Sequence, residues 1–392
     1  MANLLIKPTT GSGNKVIIQD QVGGNILTSA DSGATIENIT MVKLTPTTTA
    51  NAPAGTEGAM YYDSDKNSLM VYKDSWQKVS KVPYSVEYLV IAGGGSTSGY
   101  YRSGGGGAGG YRNSYASETS GRNASSESAW TISTNTQITC TVGAGATNPT
   151  SGPNVSGNRG TDSSITAIGQ TTVTSHGGGG GGAYADSSGT PSGTFGSGGG
   201  AGHDHTAART GATGTAGHGF DGGDTPATAH QQGGGGGGAS ADGADGGTTS
   251  DLSPSGGNGL SSSITGSAVT RAGGGGGGSY GTGGFCTGGT GGGGNGGSTT
   301  AGDAHSGVSD GSYYYPTSGT EPVSGNGYVA GGGGGGLAGA TSSGTYGKGA
   351  TGLVILRMAT SDYTGIITGS PVVSTTGTDT VLIFTGTGTY TS

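Results

Sequence analysis

Apolar residues fall along this chain in short bursts separated by polar turns, a β-type pattern. Leu4-Leu5-Ile6, Val16-Ile17-Ile18 and Ile26-Leu27 are brief runs divided by Gly-Ser-Gly-Asn and Gly-Gly turns. Met60-Tyr61-Tyr62-Asp63 and Leu69-Met70-Val71-Tyr72 flank the turn Asp65-Lys66-Asn67-Ser68, and a third short element runs from Trp76 to Val79. An Asp/Asn turn between two β-rich runs predicts a hairpin. Val86–Ile91 and Leu353–Leu356 are longer apolar stretches, the type buried on both faces of a sheet. Near the end, Ile366-Ile367, Val372-Val373, Val381–Phe384 and Thr385–Tyr390 read as further strands. Four segments follow: a docking or stem segment (1–50), a small β-hairpin unit (51–82), a glycine-rich body (83–358) and a C-terminal β segment (359–392).

Glycine dominates the body. The chain has 392 residues, 95 of them Gly, with 29% hydrophobic and 10% charged. Globular domains carry roughly 7% Gly and about a quarter charged residues, so one oily core cannot span this chain. Gly does not recur at every third position throughout and Pro numbers only 12, which excludes collagen. Hexaglycine runs stand at 177–182, 233–238, 273–278 and 331–336. Such a run has no side chain to pack and much backbone entropy to lose, so it suits neither a helix nor a central strand. Polyproline II geometry remains, with three residues per turn and about 19 Å per run. Its outward N–H and C=O groups need partners from neighbouring runs. The expected fold is therefore mostly β and polyglycine II, a sandwich of glycine helices seeded by flanking strands, with little or no α-helix.

A partial repeat supports this plan. Ser163-Ser164-Ile165-Thr166 and Val173-Thr174 lead into one hexaglycine run and then Ala183-Tyr184; Ser262-Ser263-Ile264-Thr265 and Val269-Thr270 lead into another and then Ser279-Tyr280. Irregular polar inserts, at 111–130, 184–197, 201–231, 239–262 and 298–328, separate the runs.

Several stretches resemble known families. Gly58–Asp63 followed by Leu69–Trp76 is similar to a unit common in phage tail fibre proteins, and Asn3–Gly13 resembles the start of tail fibres from phages of marine cyanobacteria. Val86–Gly95, Gly104–Arg112, Thr141–Ala146 and Gly349–Arg357 resemble the glycine-rich domain of phage adhesins, including the T-even type with polyglycine II sandwiches. The resemblance implies host attachment through loops at the distal end of the sandwich. It also implies a homotrimer that docks to other tail proteins through residues 1–82, binds a host glycan or outer-membrane protein, and resides in the virion.

The polar inserts hold the candidate receptor-binding residues: Tyr313, Tyr314, Tyr315, His203, His205, Arg209, Tyr111, Tyr115 and Tyr184. Tyrosines offer rigid apolar faces with a hydroxyl, suited to sugars or protein loops, and equally suited to filling gaps between subunits. His203 and His205, repeated about a threefold axis, would supply six imidazoles to a metal; the plainer reading is a polar loop, and neither a metal nor a cofactor is expected. Asp221, Asp224, Asp242 and Asp245 lack calcium-loop spacing and read as loop polarity. Gly277-Gly278-Ser279-Tyr280-Gly281 matches a nucleophile pattern without the strand–turn–helix that gives it meaning, so no catalysis is expected. Cys140 and Cys286 build neither a disulfide framework nor a metal cluster. The net charge of −8 is scattered, which excludes a nucleic-acid stripe, and no apolar stretch reaches membrane length. With no signal-peptide pattern at the start, synthesis in a host cytoplasm is expected. The rival functions are a purely structural virion fibre, a depolymerase, which needs paired carboxylates in a groove, and an ice-binding protein, which needs regular tripeptides and flat threonine faces.

Overall fold

The computed structural model describes residues 17–19, 25–30, 33–36, 46–65, 68–79, 83–98, 102–147, 149, 155–184, 193–204, 206–227, 232–247, 254–279, 286–297 and 347–392. The chain divides into two compact units, Met1–Lys81 and Val82–Ser392.

In the first unit β1 (Ile17–Gln19), β2 (Asn25–Ala30) and β3 (Gly33–Ile36) form an antiparallel meander. A second sheet orders β4 (Pro46–Thr47), β5 (Met60–Asp63), β6 (Ser68–Tyr72) and β7 (Trp76–Lys78) side by side. The expected hairpin is β5–β6, with Tyr62 opposite Leu69. The carboxylate of Asp63 fixes its turn by accepting bonds from the Tyr61 hydroxyl (2.8 Å), the Thr49 hydroxyl (2.8 Å) and the Asp65 N–H (3.0 Å). The Trp76 ring meets the edges of Tyr61 and Tyr72 at 4.6 and 5.3 Å.

The second unit holds β8 (Tyr84–Ile91), β9 (Tyr111–Asn113), β10 (Trp130–Ile132), β11 (Gln137–Thr141), β12 (Ser163–Ala167), β13 (Val173–Ser175), β14 (Leu260–Ser262), β15 (Val269–Arg271), β16 (Leu353–Ala359), β17 (Ile366–Thr368), β18 (Val372–Thr376), β19 (Asp379–Phe384) and β20 (Gly388–Thr391). One sheet runs β10-β8-β16-β19-β18, with β9 on the β10 edge of β8; another runs β13-β12-β11-β20-β17. The two sheets share an apolar core. Val86, Val90, Leu356 and Phe384 from the first meet Ile138, Cys140, Ile165 and Tyr390 from the second. Alternate residues of β8, β16 and β19 point the other way. Leu89, Ile91, Leu353, Ile355, Val381 and Ile383 pack against Ala108, Ala239 and Ala272, the near ends of glycine runs, and against Tyr111 and Ile264. This is why the runs around Leu89 and Ile355 are apolar without alternation. The C-terminal strands complete both sheets within the same chain.

Beyond the sheets lies a lattice of extended runs. In the central one, the N–H groups of Gly233, Gly236 and Ala239 bond to the carbonyls of Gly278, Gly275 and Ala272. Those of Gly234 and Gly237 bond to Ala201 and Gly198, and those of Gly235 and Gly238 to Ala244 and Ala241. Partners change direction with a period of three, as a three-residue helix requires. Its carbonyls accept from three further runs: Gly234 and Gly237 from Gly105 and Ala108, Gly235 and Gly238 from Gly223 and Phe220, and Gly236 from Gly257. Six neighbours thus surround one glycine helix. The runs beginning at Gly177 and Gly273 repeat the period, and no glycine of the three described hexaglycine runs has positive φ.

Two sequence expectations need correction. Ser262–Thr265 is not a strand like Ser163–Thr166, because β14 ends at Ser262. The Ser262 hydroxyl accepts the Ile264 N–H, the Ser263 carbonyl accepts the Gly266 N–H, and Gly266 sits at φ +97°, so Ile264 lies in the turn. The segments 111–130, 201–231 and 239–262 are also not mere inserts. The first contributes β9 and the start of β10 to the sheet, while residues 211–214, 220–225, 241–247 and 254–259 are lattice runs.

A Cβ built on any of Gly233–Gly238 would stand 2.0–2.3 Å from a neighbouring carbonyl oxygen, closer than real carbons come. Gly236→Ala is therefore expected to cost about 3 kcal/mol, the upper range for overpacking. Gly386→Ala, with nothing within 4 Å of its added carbon, should stay within about 1 kcal/mol of wild type in chemical unfolding.

Candidate functional site

The lattice has two unlike ends. One rests on the β8–β16–β19 sheet, at Ala108, Ala239 and Ala272. Hydrogen bonds align the other end: His203 N–H to Arg102 C=O, Gly278 N–H to Ser103 C=O, Gly233 N–H to Gly278 C=O, Gly104 N–H to Gly182 C=O and Thr97 N–H to Gly347 C=O. Described run ends stand at this far end: Ser98 and Arg102, Thr147 and Val155, Asp204 and Arg209, Thr225 and Gln232, Gly247 and Pro254, Ser279 and Cys286, and Gly297 and Gly347. The topology thus brings these described ends together opposite the sheet.

The described side chains here hold one another. Arg102 adopts φ 55° and lays its guanidinium 5.1 Å from the Tyr184 ring centre, a cation–π contact. Asp204 pairs with Arg209 and accepts from the N–H (2.9 Å) and hydroxyl (2.8 Å) of Thr206. The Arg209 guanidinium, with those Thr206 bonds, holds the Asp204 carboxyl down at about 2. Arg209 and Thr225 exchange both backbone hydrogen bonds, at 2.9 and 2.8 Å, closing the base of the 204–209 connection.

Of the nine candidate residues, His203, Arg209 and Tyr184 come together at this end. His203 is fully buried, and Arg209 and Tyr184 are half-buried. His205 and Tyr313–Tyr315 lie outside the described residues. Tyr111 and Tyr115 lie at the sheet end. Tyr111 is fully buried in the apolar layer beneath the lattice, so in this chain it offers no surface to a receptor. Tyr115 accepts a 2.9 Å bond from Arg357, whose guanidinium lies 4.7 Å from its ring centre. Both belong to the sheet–lattice joint because Tyr111 sits on β9. Among the described residues no group of three His, Cys, Asp or Glu could hold a metal ion, and no helix is long and apolar enough to cross a membrane.

Sequence reasoning missed the role of the aspartates. Asp242 and Asp245, three apart, accept the N–H groups of Asp221 and Asp224 at 2.9 and 2.8 Å. Asp221 and Asp224 in turn accept those of Gly214 and Gly211, each at 2.8 Å. Each carboxylate replaces a backbone carbonyl where the outer runs stand apart. The tripeptide repeat Ala241-Asp242-Gly243-Ala244-Asp245-Gly246 was the available signal. Arg122 pairs with Asp221, which lowers the Asp221 pKa.

At the sheet end, the His176 and His218 rings stack with centres 4.7 Å apart, and His218 Nδ1 accepts the His176 N–H at 3.3 Å. Burial first, then nearby Arg112 and His176, push His218 down to about 3, against a smaller opposing pull from Asp162.

The fold defines a lattice of glycine helices built on a β-sandwich base. A family model described as a glycine-rich domain matches residues 73–359, and the chain belongs to that family. No curated protein and no solved structure matches it significantly.

Because the folded His218 resists protonation, the unfolded chain takes up its proton first. The stability this supplies is complete above pH 6.5 and declines as pH falls toward 3. Wild type should lose up to about 1.4 kcal/mol per pH unit from this residue over that window. His218→Gln, which keeps an acceptor, should flatten the slope between pH 6 and 4 in unfolding titrations; an unchanged slope would assign the acid limb elsewhere.

Proposed function

We propose that this chain is a bacteriophage tail fibre protein that attaches to the host bacterial surface through the loops at the far end of its lattice. The observation carrying this reading is the gathering of the described run ends at one end of a scaffold otherwise held by backbone hydrogen bonds. A rigid scaffold that frees one end for variable sequence is a common arrangement for recognition. The longest connection, between 297 and 347, contains Tyr313-Tyr314-Tyr315, the densest aromatic cluster in the sequence. Membership of the glycine-rich family and the tail-fibre-like stretches before residue 83 agree with this role.

On this reading the protein resides in the virion, is made in the host cytoplasm, assembles as a homotrimer and docks to other tail proteins through residues 1–82. The host partner is a surface glycan or an outer-membrane protein, and no covalent chemistry is involved. The second reading, a purely structural fibre or decoration protein, draws on the extent of the lattice relative to its loops.

The test is binding of the full chain to a panel of cyanobacterial and other Gram-negative cells. Saturable binding is expected, with the Tyr313→Ala, Tyr314→Ala, Tyr315→Ala triple variant at least about tenfold weaker and unchanged in unfolding midpoint, because aromatic anchors dominate such contacts. Virion incorporation without cell binding would favour the structural reading.

A further inference from the structure

The outer face of the second sheet carries an ordered array of hydroxyls that the far-end reading does not use. Ile138, Cys140, Ile165, Val173 and Tyr390 point into the core, so their strand neighbours face outward. Register places Thr166 of β12 beside Thr139 of β11, Thr139 beside Thr389 of β20, and Thr389 beside Thr368 of β17. Four threonines therefore form one row across four strands. Thr174, Ser164 and Thr141 form a parallel row across β13, β12 and β11. Gln137, Thr391 and the exposed Ile366 line up on the opposite side of the first row, Ile366 being the one apolar side chain among these outward positions. All of these residues are half-buried or exposed.

Sheet geometry spaces the residues about 4.8 Å apart along a row and about 6.7 Å between rows. Threonine is stiff at χ1 and the inner face is locked in the core, so the array is ordered before anything binds. The Thr368 and Thr389 hydroxyls lie 2.8 Å apart and Thr368 Oγ1 also accepts the Thr389 N–H at 3.0 Å, which fixes the pair and leaves acceptor capacity on Thr389. High β-propensity explains threonine at single positions, but it does not explain the absence of charge. Among the outward positions of the five strands there is no Lys, Arg, Asp or Glu. A charged ligand would find no counter-charge here, and a single sugar would find no aromatic ring to stack on.

We infer that this face is a second binding surface, for an extended neutral polysaccharide held by hydroxyl-to-hydroxyl hydrogen bonds. The inference does not rest on the attachment reading, since the loops at the far end could fail to bind cells while this face still held a polymer.

The test is retention of the full chain on cross-linked dextran and amorphous cellulose, with heparin and polygalacturonate supports alongside and ice adsorption as a further arm. Retention on at least one neutral support is expected, weakened about tenfold or more in Thr139→Val, Thr389→Val, with circular dichroism and unfolding midpoint unchanged. Thr139→Ser, Thr389→Ser, which keeps the hydroxyls, should bind within about twofold of wild type and guards against a valine variant that merely misfolds. No retention on either neutral support, undiminished retention of the valine variant, preference for the charged supports, or adsorption to ice alone would overturn the inference. Cell binding and polysaccharide retention are read separately, so either reading can fail without the other.

Discussion

The structure depends on backbone meeting backbone with no Cβ between them. Gly236 shows the constraint at its tightest. Its N–H reaches the Gly275 carbonyl, its own carbonyl accepts from Gly257, and the site of its missing Cβ lies 2.0 Å from the carbonyl oxygen of Gly106. Any side chain would force that contact apart. Glycine is entropically the costliest residue to order, and here the cost is offset by hydrogen bonds leaving each run in three directions. Cohesion is polar throughout the lattice, so a chain with 29% hydrophobic residues can still build a large ordered body.

The apolar residues are spent where polar cohesion must begin and end. β8, β16 and β19 bury both faces, one against the second sheet and one against the ends of the glycine runs. At the flank of the lattice, where runs no longer touch on every side, Asp242 and Asp245 supply the missing acceptors with side-chain oxygens. The same rule operates at the sheet end, where Asp162 accepts the N–H of Gly177 at 2.8 Å. Sheet, lattice and carboxylate edge thus serve one requirement, that extended backbone find hydrogen-bond partners.

Much of this was legible in the sequence. Hexaglycine runs admit few conformations, and the doubly apolar stretches at Leu89 and Ile355 announce strands covered on both sides. The outer runs were hidden because only one of their three directions needs glycine: in Ala241–Gly246 the exposed directions carry Ala and Asp, and the segment reads as a polar loop. Tyr111 was misplaced for a related reason. Its neighbours Gly104–Gly110 suggest the rim of a lattice, but pairing of Tyr111 with Ile91 draws it into the sheet. No local pattern reveals that pairing. The site residues divide in the same way, since the gathering of His203, Arg209 and Tyr184 at one end follows from the direction of runs far apart in sequence.

A scaffold of this kind draws its stability from backbone contacts and leaves few side chains to hold its far end, where Arg102 meets Tyr184 and Asp204 pairs with Arg209. The central claim, that the hexaglycine runs are ordered by backbone hydrogen bonds, is tested most directly by native-state hydrogen exchange at Gly233–Gly238. The account predicts that these amides exchange only with global unfolding, as slowly as those of β8 and β16. Exchange at the rate of a flexible glycine linker, with β8 still protected, would contradict it.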